Sequence, residues 1–328
     1  MKKTNISFNK WKLFVLTLSL LTLMGCAREN NILTENQSAE NHTSKNTSQM
    51  EESFMDTTEQ IEEATVEPII MDVDWSDYFE EINGSAVIYN PAEHSYQIYN
   101  QELANTRRSP CSTFKIISSL IALEKGIVEP DNSTRTWSGE IFWNEDWNKD
   151  IDFYSAFHAS CVWYFREVVD EIGKDIMQDE LKQLQYGNCD ISDWDGQLNP
   201  NNSNPVLTGF WIESSLLISP KEQTEVMSRI FGDDTAYAEA ARNQLKQAML
   251  QSELTNSNIS IYGKTGMGKS HGIVVDAWFT GFAETAGKRI YFCVYLGETE
   301  DKNVSSTKAK EIAAEIVSAY LMSGNGQW

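Results

Sequence analysis

Ser112-Thr113-Phe114-Lys115-Ile116-Ile117-Ser118-Ser119-Leu120-Ile121-Ala122-Leu123-Glu124-Lys125, closed by Gly126, is the stretch on which the fold of this chain turns. Phe114, Ile117 and Ile121 lie on one side of a helical wheel, and Ile116, Leu120 and Leu123 cover much of the rest. Such a wide apolar girdle predicts a helix buried among other layers, not one lying on a surface. Just upstream, Gly84-Ser85-Ala86-Val87-Ile88-Tyr89 and Ser95-Tyr96-Gln97-Ile98-Tyr99 are β-rich runs separated by Asn90-Pro91-Ala92-Glu93-His94, the pattern of a hairpin. Downstream comes a Trp-rich middle with helical stretches at Val162 to Ile172, Pro220 to Phe231 and Ala236 to Leu250. The chain then returns to β over Ile259 to Gly266, Ala277 to Ala283 and Arg289 to Leu296, and closes with a helix near Thr307 to Leu321. Strands at both ends enclosing a helical middle predict an α+β fold: a central antiparallel sheet built from N- and C-terminal strands, flanked by helices, with an inserted, mostly helical lobe.

Several positions could carry chemistry. Ser112 and Lys115 are three apart, so a helix puts the hydroxyl and the amine on one face. The first turn adds unpaired amides and the positive end of the helix dipole beside Ser112. Lys115 is flanked by Phe114, Ile116 and Ile117, and apolar surroundings lower a lysine's pKa until the neutral amine can act as a base or react with an electrophile. Taken alone this spacing equally describes a capping serine and a snorkelling lysine. Ser160 precedes a helix and would ordinarily be its N-cap. Tyr186-Gly187-Asn188 would ordinarily be a turn, and Lys264-Thr265-Gly266 an edge strand with a guarding lysine.

Their order changes that reading. Ser112-x-x-Lys115, Ser160-x-Val162, Tyr186-Gly187-Asn188, Phe210-Trp211-x-Glu213 and Lys264-Thr265-Gly266 follow one another in a way that resembles the class D, oxacillinase-type, serine β-lactamases of the penicillin-binding-protein-like transpeptidase superfamily. The resemblance runs from about Gly84 to the final helix and implies the β-lactamase/transpeptidase-like fold. It implies hydrolysis of penicillins and related β-lactams through an acyl-enzyme on the nucleophile Ser112, giving antibiotic resistance. Lys115 would become N6-carboxylysine by taking up carbon dioxide, and would be the general base of acylation and deacylation. Carbon dioxide or bicarbonate would be the accessory species, with no metal. Val162, Phe165 and Ile212 would line the lysine pocket, and the Trp211 indole would donate to the carbamate. Ser160 would relay a proton toward the leaving nitrogen with Lys264 as electrostatic aid. Lys264 and Thr265 would hold the substrate carboxylate, Gly266 would offer bare backbone, and the amides of Ser112 and Met267 would form the oxyanion hole, such donors being worth roughly 3 to 4 kcal/mol each. Tyr186-Gly187-Asn188 would support the cleft.

One departure stands out. Many class D enzymes carry an arginine after the last strand, and Glu300-Asp301-Lys302-Asn303-Val304-Ser305-Ser306 has none. Either Lys302 substitutes or Lys264 and Thr265 hold the carboxylate alone. The alternative functions are a penicillin-sensing domain, normally found after membrane helices and a protease domain, and a transpeptidase or carboxypeptidase acting on D-Ala-D-Ala peptides. Both would be acylated without turnover. A non-catalytic lipoprotein tether would leave the ordered motifs to coincidence.

The N-terminal end reads differently from the rest. Lys2, Lys3 and Lys10 precede an apolar run from Leu13 to Leu21 and then Leu23-Met24-Gly25-Cys26. That pattern reads as a signal peptide over residues 1–26 ending in a lipobox, with Cys26 expected to be lipidated, the alternative being an ordinary cleaved signal with an incidental cysteine. Residues 27–68 are polar and acidic without sustained periodicity, a tether; residues 69–328 form the catalytic domain. The protein is expected to be exported, anchored by lipid on the outer face of the cytoplasmic membrane, and monomeric. A net charge of -22 argues against nucleic acid as a partner. With four histidines and no Cys-x-x-Cys pair, no metal site is expected. Cys293 reads as core, and a disulfide, if one forms, would come from Cys111, Cys161 and Cys189, which the motifs bring near one cleft.

Overall fold

The computed structural model describes residues 67–198, 203–255, 258–297 and 304–323. The expected signal peptide and Cys26, the expected tether as far as residue 66, and Lys302 with its neighbours 298–303 therefore lie outside the described residues.

Six strands form one sheet: β1 (Ile69–Asp72), β2 (Gly84–Asn90), β3 (Ser95–Tyr99), β4 (Ser260–Ser270), β5 (Ile273–Thr285) and β6 (Lys288–Gly297), in the order β1-β3-β2-β6-β5-β4. The β2–β3 hairpin is present with Ala86 opposite Tyr99 and Asn90 opposite Ser95. The chain's two ends meet where β2 pairs antiparallel with β6, Gly84 opposite Leu296. The expected antiparallel sheet from both termini is thus found, with one addition. The short edge strand β1 runs parallel to β3, making the sheet mixed.

The helices are α1 (Ser76–Phe79), α2 (Gln101–Ala104), α3 (Lys115–Glu124), α4 (Phe153–His158), α5 (Val162–Ile172), α6 (Lys174–Leu184), α7 (Pro220–Phe231), α8 (Glu239–Met249) and α9 (Ser306–Met322). Alternation along the strands sends Ile88, Ile261, Phe279, Phe292 and Val294 to a core shared with α9. The opposite face contributes Phe282 and Tyr291 to a second core holding α3, α5, α6, α7 and α8. Among the described residues no helix is long and apolar enough to cross a membrane.

Local signals explain several helix starts. Ser219 accepts from the Glu222 amide while the Glu222 side chain accepts from the Ser219 amide, with Pro220 at the first helical position of α7. The segment from Ser112 departs from expectation. Cys111–Phe114 is a 3-10 turn, and the regular helix begins at Lys115 and runs, buried through Ala122, to Glu124. Tertiary contact accounts for this. A Cβ on Gly266 would lie 2.9 Å from the Pro110 carbonyl oxygen and from Thr113 Cγ2, and one on Gly268 would lie 2.9 Å from Cys111 Sγ. Strand β4 therefore presses directly on the turn, and Cys111 takes a left-handed φ of 49° to fit.

Candidate active site

At the foot of α3, Lys115 Nζ donates to Ser112 Oγ at 2.9 Å. Lys115 is completely buried, its ammonium 5.5 Å from the centroid of the Phe165 ring. Burial pulls its pKa down to about 8, against a smaller opposing effect of the Cys161 and Cys111 thiols. At pH 7 that raises the neutral fraction from well under 0.1% to about a tenth, enough for an amine that has to react. The snorkelling alternative is excluded by this burial.

Ser160 sits between α4 and α5 with a left-handed φ of 53°. It is not the cap of α5: Cys161 occupies that position. Trp147 Nε1 donates to the Ala159 carbonyl at 2.9 Å, and the Ser160 and Cys161 amides donate back to Phe157 and Ala156. So tethered, the Ser160 hydroxyl accepts from Lys264 Nζ, which also donates to the Thr265 carbonyl at 3.2 Å and Thr265 Oγ1 at 3.4 Å. Lys264 stands on an edge strand as expected, yet only 4% of it is exposed, so it guards nothing. Burial first, and the nearby Lys115 and Lys310 charges second, hold its pKa well below the ordinary lysine range.

The outer side of β4 also presents backbone. Gln251 takes the carbonyls of Ile261 and Gly263 from that side. A two-residue alternation places the Thr265 and Met267 backbone groups on the same side. Met267 is 39% exposed, at the rim. Gly266 is where β4 touches Pro110 and Thr113, so its missing side chain permits the approach.

The remaining expected residues divide clearly. Trp211 is buried and stacked on Phe114 at 5.7 Å, and its Nε1 has no hydrogen-bond partner. Phe165 is buried, whereas Val162 and Ile212 are half-buried beside the same core. Tyr186-Gly187-Asn188 braces the 215–217 segment: Asn188 Nδ2 donates to the Ser215 carbonyl at 2.8 Å and its Oδ1 accepts from Leu217 N at 2.9 Å. Cys111, Cys161, Cys189 and Cys293 are free thiols, and Cys189 bonds to the Leu181 carbonyl at 3.4 Å, with Arg107, Glu222 and Lys182 as its charged neighbours. Only Cys111 and Cys161 of the three bear on Lys115.

Two contributors carried no sequence signal. Phe157 lies 5.6 Å below the Lys264 ammonium. Ser109, three residues before Ser112, donates to the Trp211 carbonyl and accepts from the Glu213 amide.

Two amines, each within hydrogen-bond reach of its own serine hydroxyl and each disfavoured as a cation, are the equipment of serine acyl transfer. Comparison with known proteins agrees with that class. Residues 82–318 match the penicillin binding protein transpeptidase domain, and the chain belongs to that family. The regulatory protein BlaR1 of Bacillus licheniformis is 31% identical over 246 residues, 74% of this chain but 38% of the relative, so the chain spans well under half of that protein. The probable β-lactamase YbxI of Bacillus subtilis (strain 168) is 31% identical over 251 residues, 76% of this chain and 85% of the relative. Among solved structures, the C-terminal domain of the Bacillus licheniformis BlaR penicillin-receptor superposes with a TM-score of 0.66 at 29% identity, covering 77% of this chain and 96% of that one. A class D β-lactamase from Bacillus subtilis gives 0.63 at 28%, covering 76% and 95%. The resemblance to class D β-lactamases read from the motifs holds, and penicillin receptors share it.

Proposed function

We propose that the protein hydrolyses β-lactams through an acyl-serine on Ser112, with Lys115 carboxylated in the working enzyme. The observation that carries this reading is the Trp211 indole: a buried N–H with no acceptor, stacked on the residue that precedes a buried, partly neutral lysine. An orphaned buried donor is costly, and one that fits a missing acid group is explained. Carboxylation would supply a base for forming and cleaving the acyl-enzyme. Lys115, once its amine is neutral, accepts carbon dioxide, and Phe165 and Ile212 keep bulk water away. Ser112 attacks the lactam carbonyl, whose oxygen turns toward the Ser112 and Met267 amides. The carboxylated Lys115 takes the Ser112 hydroxyl proton, the lactam C–N bond breaks, and Ser160, held by Lys264, relays a proton to the released nitrogen that the base replaces; water activated by the same base then cleaves the acyl-serine ester, and its proton returns to Ser112 Oγ. Lys264 and Thr265 receive the substrate carboxylate.

The second reading, a sensor that stays acylated, is favoured by the similarity to the BlaR penicillin-receptor domain. Turnover of a penicillin by the purified protein, with and without bicarbonate and with intact mass followed, separates them. Multiple turnovers that rise with bicarbonate and vanish in Lys115→Ala support the hydrolase; one lasting adduct on Ser112 means a sensor. We also place the protein on the outer face of the cytoplasmic membrane through Cys26, from Leu23-Met24-Gly25-Cys26. Labelling with an alkynyl fatty acid that survives Cys26→Ala would sink that placement.

A further inference from the structure

An oxyanion hole made by Ser112 and Met267 draws its two donors from different elements, the turn before α3 and the edge strand β4. Catalysis falls steeply when such donors are misplaced by even an ångström, so the spacing between turn and strand has to be fixed. We propose that Ser109 and Glu213 form a clamp that fixes it, acting as positioning residues for the oxyanion site.

Ser109 is buried, 6% exposed, and uses both ends. Its Oγ donates to the Trp211 carbonyl at 3.1 Å and accepts from the Glu213 amide at 2.9 Å, while its own carbonyl accepts from Trp278 Nε1 of β5 at 3.1 Å. The approach to the nucleophile is thereby tied to the sheet and to the 211–213 segment at once. Glu213 carries the tie across: its Oε1 accepts from the Lys269 amide at 2.5 Å. That amide lies immediately past the register shift between Gly268 and Lys269, two residues beyond Met267. Glu213 holds a left-handed φ of 51°, a conformation side chains rarely adopt, so its placement is imposed by these bonds against its own preference. Between the two anchors the contact has no slack, since Gly266 and Gly268 have no room for a methyl group against Pro110, Thr113 and Cys111. The clamp closes on a joint that is already tight.

The inference rests on acylation of Ser112 by β-lactams, which the hydrolase and sensor readings share. Stopped-flow acylation of the full chain by a chromogenic cephalosporin separates the rate constant of acylation from the dissociation constant of the encounter complex. Ser109→Ala and Glu213→Ala are each expected to slow acylation about tenfold while the dissociation constant stays within about twofold, because donors are displaced and the carboxylate site is not. The double variant is expected to lose no more than either single one, as for two links in series. Ser109→Thr and Glu213→Gln, which keep a hydroxyl and an acceptor oxygen, are expected to recover most of the rate; they also test the clamp if an alanine variant does not fold. Losses that multiply to about a hundredfold, rate and affinity falling together, or singles within about twofold of wild type would each overturn the clamp. A wild-type protein that neither turns the cephalosporin over nor carries a mass adduct on Ser112 overturns the acyl-transfer reading itself.

Discussion

Trp211→Phe isolates the indole N–H. In buffer free of carbon dioxide the orphaned Nε1 of the buried Trp211 is a liability of about 1 to 3 kcal/mol, relieved by the substitution. The smaller ring leaves a cavity beside Phe114 that costs a comparable amount, so the two nearly cancel. With Lys115 carboxylated the balance changes, because wild type then gains a charge-assisted hydrogen bond that the variant lacks, worth about 1.5 to 3 kcal/mol. That is roughly a ten- to hundredfold weaker response to bicarbonate. The assay is steady-state penicillin turnover against bicarbonate concentration, paired with thermal melts in the same buffers. The variant should need at least about tenfold more bicarbonate for half-maximal turnover, and its bicarbonate-induced rise in Tm should be smaller by several degrees. A variant that saturates with bicarbonate as wild type does, and gains the same Tm, would show that the indole serves no acid group on Lys115.

Lys115 gives a test by pH. Its pKa of about 8 in the folded chain lies below the 10.5 of an ordinary lysine, so between these values the unfolded chain holds a proton that the folded one lacks, and stability rises with pH across that window. Below about pH 8 the folded state bears the full burden of a buried ammonium, about 3 kcal/mol. Lys115→Met should therefore raise the unfolding free energy at pH 7 by about that amount and much less above pH 10, in urea melts without carbon dioxide; an increment independent of pH contradicts it. Gly266→Ala forces a methyl group to within 2.9 Å of Pro110 and Thr113, and should cut acylation at least about tenfold and cost about 1 to 3 kcal/mol in a chemical melt. Asn188→Ala removes bonds to Ser215, Leu217 and Asp190 and should cost about 2 to 4 kcal/mol; a loss below 1 kcal/mol would mean that the 215–217 wall stands by itself.

How far the sequence could be read depends on how local each cause is. Helices α5 and α7 occupy the stretches read for them, Val162 to Ile172 and Pro220 to Phe231, because periodicity and the Ser219–Glu222 cap are written within a few residues. The start of α3 was not legible, since the left-handed Cys111 and the 3-10 turn answer to Gly266 and Gly268 far along the chain. Strand β1 escaped for a related reason: its parallel partner β3 lies beyond a helix and another strand, and its two isoleucines, Ile69 and Ile70, are 60% and 49% exposed. Of the site, both serine–lysine pairs followed from spacing and resemblance. Ser109 did not, because its partners Trp211 and Glu213 are 102 and 104 positions away and no periodic pattern links them.

The parallel strand at the sheet's margin has a practical side for anyone who would attach this protein to something. Chain entering the domain arrives at Ile69 on one border of the sheet, while Lys264 and Thr265 line the other border, five strand spacings or about 24 Å away. A bead, electrode or fusion partner joined ahead of Ile69 therefore meets the domain on the side remote from the reaction cleft. If the protein turns over β-lactams as proposed, a biosensor coupled in that orientation should keep its solution turnover, whereas coupling through an engineered cysteine at Ser270, on the strand that carries Lys264 and Thr265, should not.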